Sequence, residues 1–383
     1  MTTLRVTPRL KREMKPFGIQ QWNECFHCGN CTATCPLSET NHLFPRRSIR
    51  NVQMGLIDRL ESNLDPWLCY YCGDCTKTCP RDANPGELMM SLRRFLTARY
   101  DWTGISGALY KSMKGHLLTV FLLFSGVIAA FLLFADFKIP LSSEGIVEIN
   151  KFAPHELIAF LDHILLGLLG FFLLGGLLNM FIKVILKDKE VRVPLYLYFT
   201  QVWDAIFHFA TQKRFAKCEG KKTYWVLHWY LMSSYIMMFI MIIFFLPWFQ
   251  TDTIHPFWHP QRILGYYVTG GLIVGSIYFF IGRFRKDKEI FRFSHHSDWI
   301  FIVLLFLLAL TGILIHIFRL EGMPVATYTS YMLHLAVEVP MVVTFVAFSK
   351  WSHLAYRPMA IFFYNLKRAA AARQATGVLT PAI

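Results

Sequence analysis

Cys25-Phe-His-Cys28-Gly-Asn-Cys31-Thr-Ala-Thr-Cys35-Pro36 sets four thiols in a C-x2-C-x2-C-x3-C-P run, and Cys69-Tyr-Tyr-Cys72-Gly-Asp-Cys75-Thr-Lys-Thr-Cys79-Pro80 repeats it. Runs of this kind hold cubane iron–sulfur clusters, and in two-cluster ferredoxins the fourth cysteine ligates the other cube. Three thiolates on one tight turn reach three irons, and the fourth leaves on a helix. Gly29 and Gly73 let the backbone approach closely. The expected ligand sets are Cys25, Cys28, Cys31 and Cys79 for one 4Fe-4S cluster, and Cys69, Cys72, Cys75 and Cys35 for the other. The competing chemistry is structural zinc, which typically uses pairs of C-x2-C rather than a duplicated four-cysteine run with proline. Eight of the nine cysteines lie in these runs. The ninth, Cys218, reads as a bland thiol.

Histidines form the second group. Inside a membrane they are functional candidates by default, and neutral imidazole is an axial ligand of haem iron. Two imidazoles at one depth can clamp a haem b. His334 and His353 are nineteen residues apart, about 28 Å on one straight helix, nearly a whole hydrocarbon core. That separation suits two haems. His228 is level with His353 and His163 with His334, which gives an inner pair and an outer pair. His316 is the alternate outer ligand. Glu338, one turn after His334, is a candidate proton relay for a quinone. His155, His255, His259, His295 and His296 fall in loops and read as surface residues.

The elements that must position these groups follow from composition. The chain has 383 residues, 54% hydrophobic and only 17% charged, against about 25% charged in ordinary soluble domains. Mean hydropathy is +0.38. The net charge of +14 flanks apolar runs instead of lining one soluble face, so nucleic acid is not the expected partner. Residues 1–108 read as a soluble iron–sulfur domain, with a helix starting at Asn84-Pro85-Gly86-Glu87 (Asn as cap, Glu as its capping-box partner) and another near Arg46–Leu60. Residues 109–356 hold six apolar runs, about 117–135, 157–182, 226–246, 263–281, 299–318 and 331–350, each near the roughly 20 residues a bilayer span needs. The run 194–210 carries Gln201 and Asp204 between basic flanks and reads as a surface helix. Residues 357–383 read as a tail. Lys and Arg concentrate in segments 183–225 and 283–298 and in that tail, so the positive-inside rule puts both termini in the cytoplasm. There is no apolar signal peptide at the start, and the thiols are expected on the reducing side. The fold class is mainly α: a helical two-cluster ferredoxin-type domain, then a six-helix transmembrane cytochrome b bundle in the inner membrane.

The duplicated cysteine domain resembles HdrC, the iron–sulfur protein of heterodisulfide reductase. The membrane part resembles the cytochrome b family that includes HdrE of heterodisulfide reductase and the nitrate reductase gamma subunit. It does so in KCEGKKTYWVLHWYLMSSY around His228, SDWIFIVLLFLLALTGILIH to His316, and YMLHLAVEVPMVVTFVAFSKWSHLAYRP from His334 past His353. Fused in this order, the two resemble the QmoC family, the membrane component of the quinone-interacting membrane-bound oxidoreductase (Qmo) complexes. The resemblance implies two haems b, a menaquinone site, soluble flavin and iron–sulfur partners related to HdrA of heterodisulfide reductase, and exchange with adenylylsulfate reductase in dissimilatory sulfur metabolism. It departs at Met238. The nitrate reductase protein takes two histidines, ten apart, from one helix. Here only His228 stands, so the outer haem needs His163 or His316. The expected function is therefore that of a redox subunit of a quinol-dependent complex, not catalytically complete alone. The rivals are a heterodisulfide-reductase-like membrane protein with another soluble acceptor, and a transporter or sensor with a structural cysteine domain.

Overall fold

The computed structural model describes residues 5–38, 42–134, 147–212 and 222–375; Cys218 lies outside them. It is mainly helical, and no strand occurs among the described residues. The long helices, in chain order, are α1 (Pro85–Tyr100), α2 (Met113–Phe134), α3 (His155–Phe181, continued by a wider turn at Ile182–Leu186), α4 (Leu195–Thr211), α5 (Lys222–Phe249), α6 (Pro260–Arg285), α7 (His296–Leu320), α8 (Pro324–Phe345) and α9 (His353–Ala375).

Helices α2, α3, α5, α6 and α7 are each long and apolar enough to cross a membrane. On α2 and α3 apolar side chains point outward: Phe121, Leu133, Phe171 and Leu174 are all exposed. In lipid that outward face needs no protein partner, and these helices fit a multi-pass membrane protein. Where helix meets helix, small residues do the work. Gly271 and Gly275 of α6 face Ser234 and Leu231 of α5 so closely that a Cβ on either glycine would collide.

The sixth run departs from expectation. Residues 331–350 are not one straight span: α8 ends at Phe345, and the chain restarts at Lys350–Ser352 and α9, bent by 61°. Tertiary contacts turn it. Lys350 pairs with Asp298 of α7, and Trp351 packs between Tyr235 and Phe301. The 28 Å separation of His334 and His353 therefore does not apply. The boundary at 356 also falls inside α9, and 357–375 is no loose tail. Tyr356, Ala360, Phe363 and Leu366 share one buried core with Leu60, Trp67, Leu92 and Tyr100 of the cysteine domain. The cysteine domain is thus seated on the end of the bundle that also carries the basic segments.

Helix α4 occupies the stretch read as a surface helix. Its inner side meets α9, where Asn365 donates to Asp204 at 2.5 Å. Leu195, Phe199 and Trp203 stand outward, 72–80% exposed, at four-residue spacing. Helix α1 starts at Pro85 as expected, but its cap differs. The Asn84 side chain makes no cap hydrogen bond and donates to Gln21 instead. Glu87 does not close a capping box; it is buried against Arg94 at 2.6 Å and accepts from Tyr71 at 2.9 Å. Near Arg46–Leu60 there are two short helices, Arg46–Gln53 and Ile57–Glu61, split at Gly55, whose positive φ and contact with the Thr7 backbone leave no room for a side chain.

Candidate redox site

The two cysteine runs repeat each other in backbone as well as in sequence. His27 and Tyr71, equivalent positions, have φ of 63° and 52°. Gly29 and Gly73 have φ of 93° and 87°, and each opens a short helix, Asn30–Thr34 and Asp74–Lys77. Those helices pack together, with the equivalent Thr34 and Thr78 hydroxyls 3.4 Å apart. The residues just before Cys35 and Cys79 therefore meet at a local twofold, and each fourth cysteine is delivered to the opposite run. One cavity is lined by Cys25, Cys28, Cys31 and Cys79, the other by Cys35, Cys69, Cys72 and Cys75.

These residues fit a cubane. Four cysteines line each cavity, one set for each expected cube. A zinc site needs its four donors at about 2.3 Å from one point; a cube spreads them. Burial pushes the thiols of Cys25, Cys31, Cys69 and Cys75 up, and that of Cys35 up to about 12. Metal loading must then release protons. The first loop is stapled by Gln53, which donates to the carbonyls of Trp22 and Cys25. The second is stapled by Arg93, which donates to the carbonyls of Pro66 (2.6 Å) and Cys69.

Gly73 is where the membrane part touches this loop. A Cβ there would lie 2.7 Å from Glu289 Cβ, at a φ that favours glycine. Gly73→Ala is expected to cost about 1–3 kcal/mol and to lower iron occupancy. A thermal scan and an iron assay of the full-length variant check this, and unchanged values would refute it.

A third cavity lies between the cysteine domain and the bundle. His228 and His353 both line it, with Tyr70, Arg93, Tyr235 and Arg357. His228 Nδ1 donates to Gln212 Oε1 at 3.0 Å, and His353 Nδ1 donates to the Lys350 carbonyl. A histidine engaged at Nδ1 presents Nε2 as the metal-facing nitrogen. A buried nitrogen of Arg283 and one of Arg357 have no hydrogen-bond partner, and both residues line this cavity. Imidazoles plus unpaired guanidinium donors suit a haem with its two acid groups. Tyr70 and Tyr71 line this cavity and the second cysteine cavity alike.

The two members of the outer pair have different surroundings. His163 is exposed and its Nδ1 donates to the Ala159 carbonyl, while its neighbour Asp162 is the residue within electrostatic reach of Glu338. Adjacent positions on a helix face different ways. His334 donates from Nδ1 to Thr311 Oγ1 at 2.9 Å, and Gly312 leaves room against its ring. The alternate ligand His316 is spoken for: Nδ1 accepts from Arg262 and Nε2 bonds Tyr266, both at 2.8 Å. Glu338 is half-buried on α8, with Tyr235, Tyr331 and Asp162 in electrostatic reach.

One histidine departs from the sequence expectation, and a second has no sequence motif to mark it. His295 is buried, not a surface residue; it caps α7 through Ser297 and meets the Pro16 carbonyl at 3.1 Å. His116 escaped notice. It is fully buried against His296 and Phe345, with neither ring nitrogen hydrogen-bonded. Its place at the start of the first apolar run, on the helix Met113–Phe134, was the available signal. The buried cations Arg94 and Arg283, which share Asp298, left no sequence signature.

Comparison with protein families identifies residues 21–83 as a 4Fe-4S dicluster domain. No curated protein and no solved structure matches the chain. The dicluster domain supports iron–sulfur clusters and an electron-transfer role, joined here to helices able to span a membrane.

Proposed function

We propose that this chain is the membrane electron-transfer subunit of a quinone-linked oxidoreductase complex. It passes electrons between menaquinol or menaquinone and cytoplasmic partner subunits through haem b and the two 4Fe-4S clusters. One observation carries the reading: the cavity that gathers His228 and His353 shares Tyr70 and Tyr71 with the cavity of Cys35, Cys69, Cys72 and Cys75. Two one-electron sites side by side, one at the membrane and one in a ferredoxin-type domain, form a wire.

When bound, haem b supplies one-electron chemistry at the membrane. The chain's own residues do the rest. His228 and His353 would hold the iron, with Gln212 and the Lys350 carbonyl fixing their tautomers. Arg283 and Arg357 neutralise acid groups. Oxidation of a quinol releases two electrons and two protons; Glu338 is the carboxylate proposed to take up a proton in the apolar interior. One haem, at the inner pair, is the reading the side chains favour. A second at His334 would need a partner ligand, and of the two candidates His316 already has both ring nitrogens engaged, which leaves His163.

The setting follows from charge and resemblance. The cysteine domain shares its end of the bundle with the basic segments, which supports a cytoplasmic face for both termini in the inner membrane. The exposed apolar stripe of α4 supports its lying in the lipid interface. A flavin and iron–sulfur partner of the HdrA type, with adenylylsulfate reductase beyond it in dissimilatory sulfur metabolism, follows from the sequence resemblance.

The test is a reduced-minus-oxidised absorption spectrum of the purified full-length protein, with iron and acid-labile sulfide assays. A haem b band together with iron and sulfide is expected. Zinc in place of iron overturns the redox reading; iron and sulfide without a haem band overturn the cytochrome half.

A further inference from the structure

Arg93 sits where the two sites adjoin. It projects from α1 and donates to the Cys69 carbonyl, on the loop of the second cysteine cavity. The same side chain lines the cavity of His228 and His353. Arg357 joins it from α9, its guanidinium 4.2 Å from the centre of the Tyr70 ring. Both guanidinium groups lie within electrostatic reach of Cys69, His228 and His353. The first cysteine cavity has a different cation, Arg46, beside Cys25. Arginine does not lose its charge in proteins, so this is a fixed field, not a titrating one.

A fixed cation favours whichever redox state is more negative. For an iron–sulfur cube and for a haem, that is the reduced state. The effect is largest where water is scarce, and hydrogen bonding and burial are the protein's ordinary means of setting such potentials. A cation anchored between two centres acts on both together.

We propose that Arg93, supported by Arg357, is a positioning residue whose charge raises the reduction potentials of the inner histidine-paired site and the Cys35/Cys69/Cys72/Cys75 site in step. The inference rests on the functional reading above. It makes the second cluster the one matched to the membrane site, and the first cluster, with exposed Cys28 and with Phe26 60% exposed, the one facing a soluble partner.

The experiment is a redox titration of the full-length protein, with haem followed optically and each cluster by electron paramagnetic resonance. In Arg93→Met the midpoints of the haem and one cluster should both fall, while the other cluster stays where it was. Arg93→Lys, which keeps the charge, should restore both. If Arg93→Met does not accumulate, Arg357→Met tests the same field and should lower the same two midpoints. Midpoints that ignore these substitutions, or three that fall together, overturn the proposal. A wild-type protein with no haem band instead overturns the function on which it rests, and the two failures are told apart before any variant is made.

Discussion

Replacing His353 by alanine will remove the b-type absorption band of the purified protein and leave its iron and sulfide in place. The expectation follows from how the site is built. His353 opens α9 just after the bend, and its Nδ1 is held by the Lys350 carbonyl one turn back. Lys350 is in turn pinned to Asp298 on α7. The imidazole is thus aimed by three elements at once, toward a cavity that His228 enters from α5. Removing a residue that merely orients a metal-bound histidine costs about 10–100-fold in affinity; removing the ligand itself must cost at least that. Haem content, read by pyridine haemochrome, should therefore fall by about tenfold or more. Gln212→Leu, which frees the His228 Nδ1, should weaken haem retention without abolishing it. His334→Ala should keep the band, since His334 is not among the residues that line the cavity of His228 and His353. A His353→Ala protein with an unchanged spectrum would refute the inner pair, and loss of the band in His334→Ala would move the haem outward.

How far the sequence led depends on how local each feature is. The cysteine runs were legible because a cluster loop needs a left-handed residue and a glycine at fixed offsets, and His27–Gly29 and Tyr71–Gly73 supply them within each run. The apolar helices were legible because apolar length is a sum over neighbours, though most of them begin several residues before the apolar stretch. The bend after Phe345 was not legible. No proline marks it, and it is set by Asp298, Tyr235 and Phe301 from two other helices. The stretch 357–375 reads as a tail for the same reason: it buries Phe363 and Leu366 against the cysteine domain, partners far away in sequence. Glu87 shows a local rule losing to tertiary structure. Its spacing from Asn84 fits a capping box, but Arg94 and Tyr71 are stronger partners for a buried carboxylate. Depth alone could pair His228 with His353 because both stand near helix ends. It failed for His163, where the face of α3 decides what the ring meets.

The exchange of fourth cysteines, expected from the repeated run and matched by the cavity linings, gives the second large expected effect. Cys35 follows Cys31 by four residues, so a run-by-run assignment would make it a ligand of the first cluster. The geometry assigns it elsewhere. Cys35 lines the cavity of Cys69, Cys72 and Cys75, and Cys69 and Cys72 lead its thiol neighbours in electrostatic effect. Cys79 is correspondingly the leading thiol neighbour of Cys25. The cause is the packing of Asn30–Thr34 on Asp74–Lys77, which turns each chain end toward the other loop. Cys35→Ala should therefore lose the cluster of the second run and about half of the protein's iron, while the first cluster keeps its spectrum. Cys79→Ala should do the converse. Arg93 supplies an independent marker of which cluster survives: the signal lost in Cys35→Ala must be the one whose midpoint moves in Arg93→Met, because Arg93 is bonded to Cys69 and not to the first loop. If Cys35→Ala instead removes the signal that Arg93→Met leaves untouched, each run holds its own cluster and the crossed assignment is wrong.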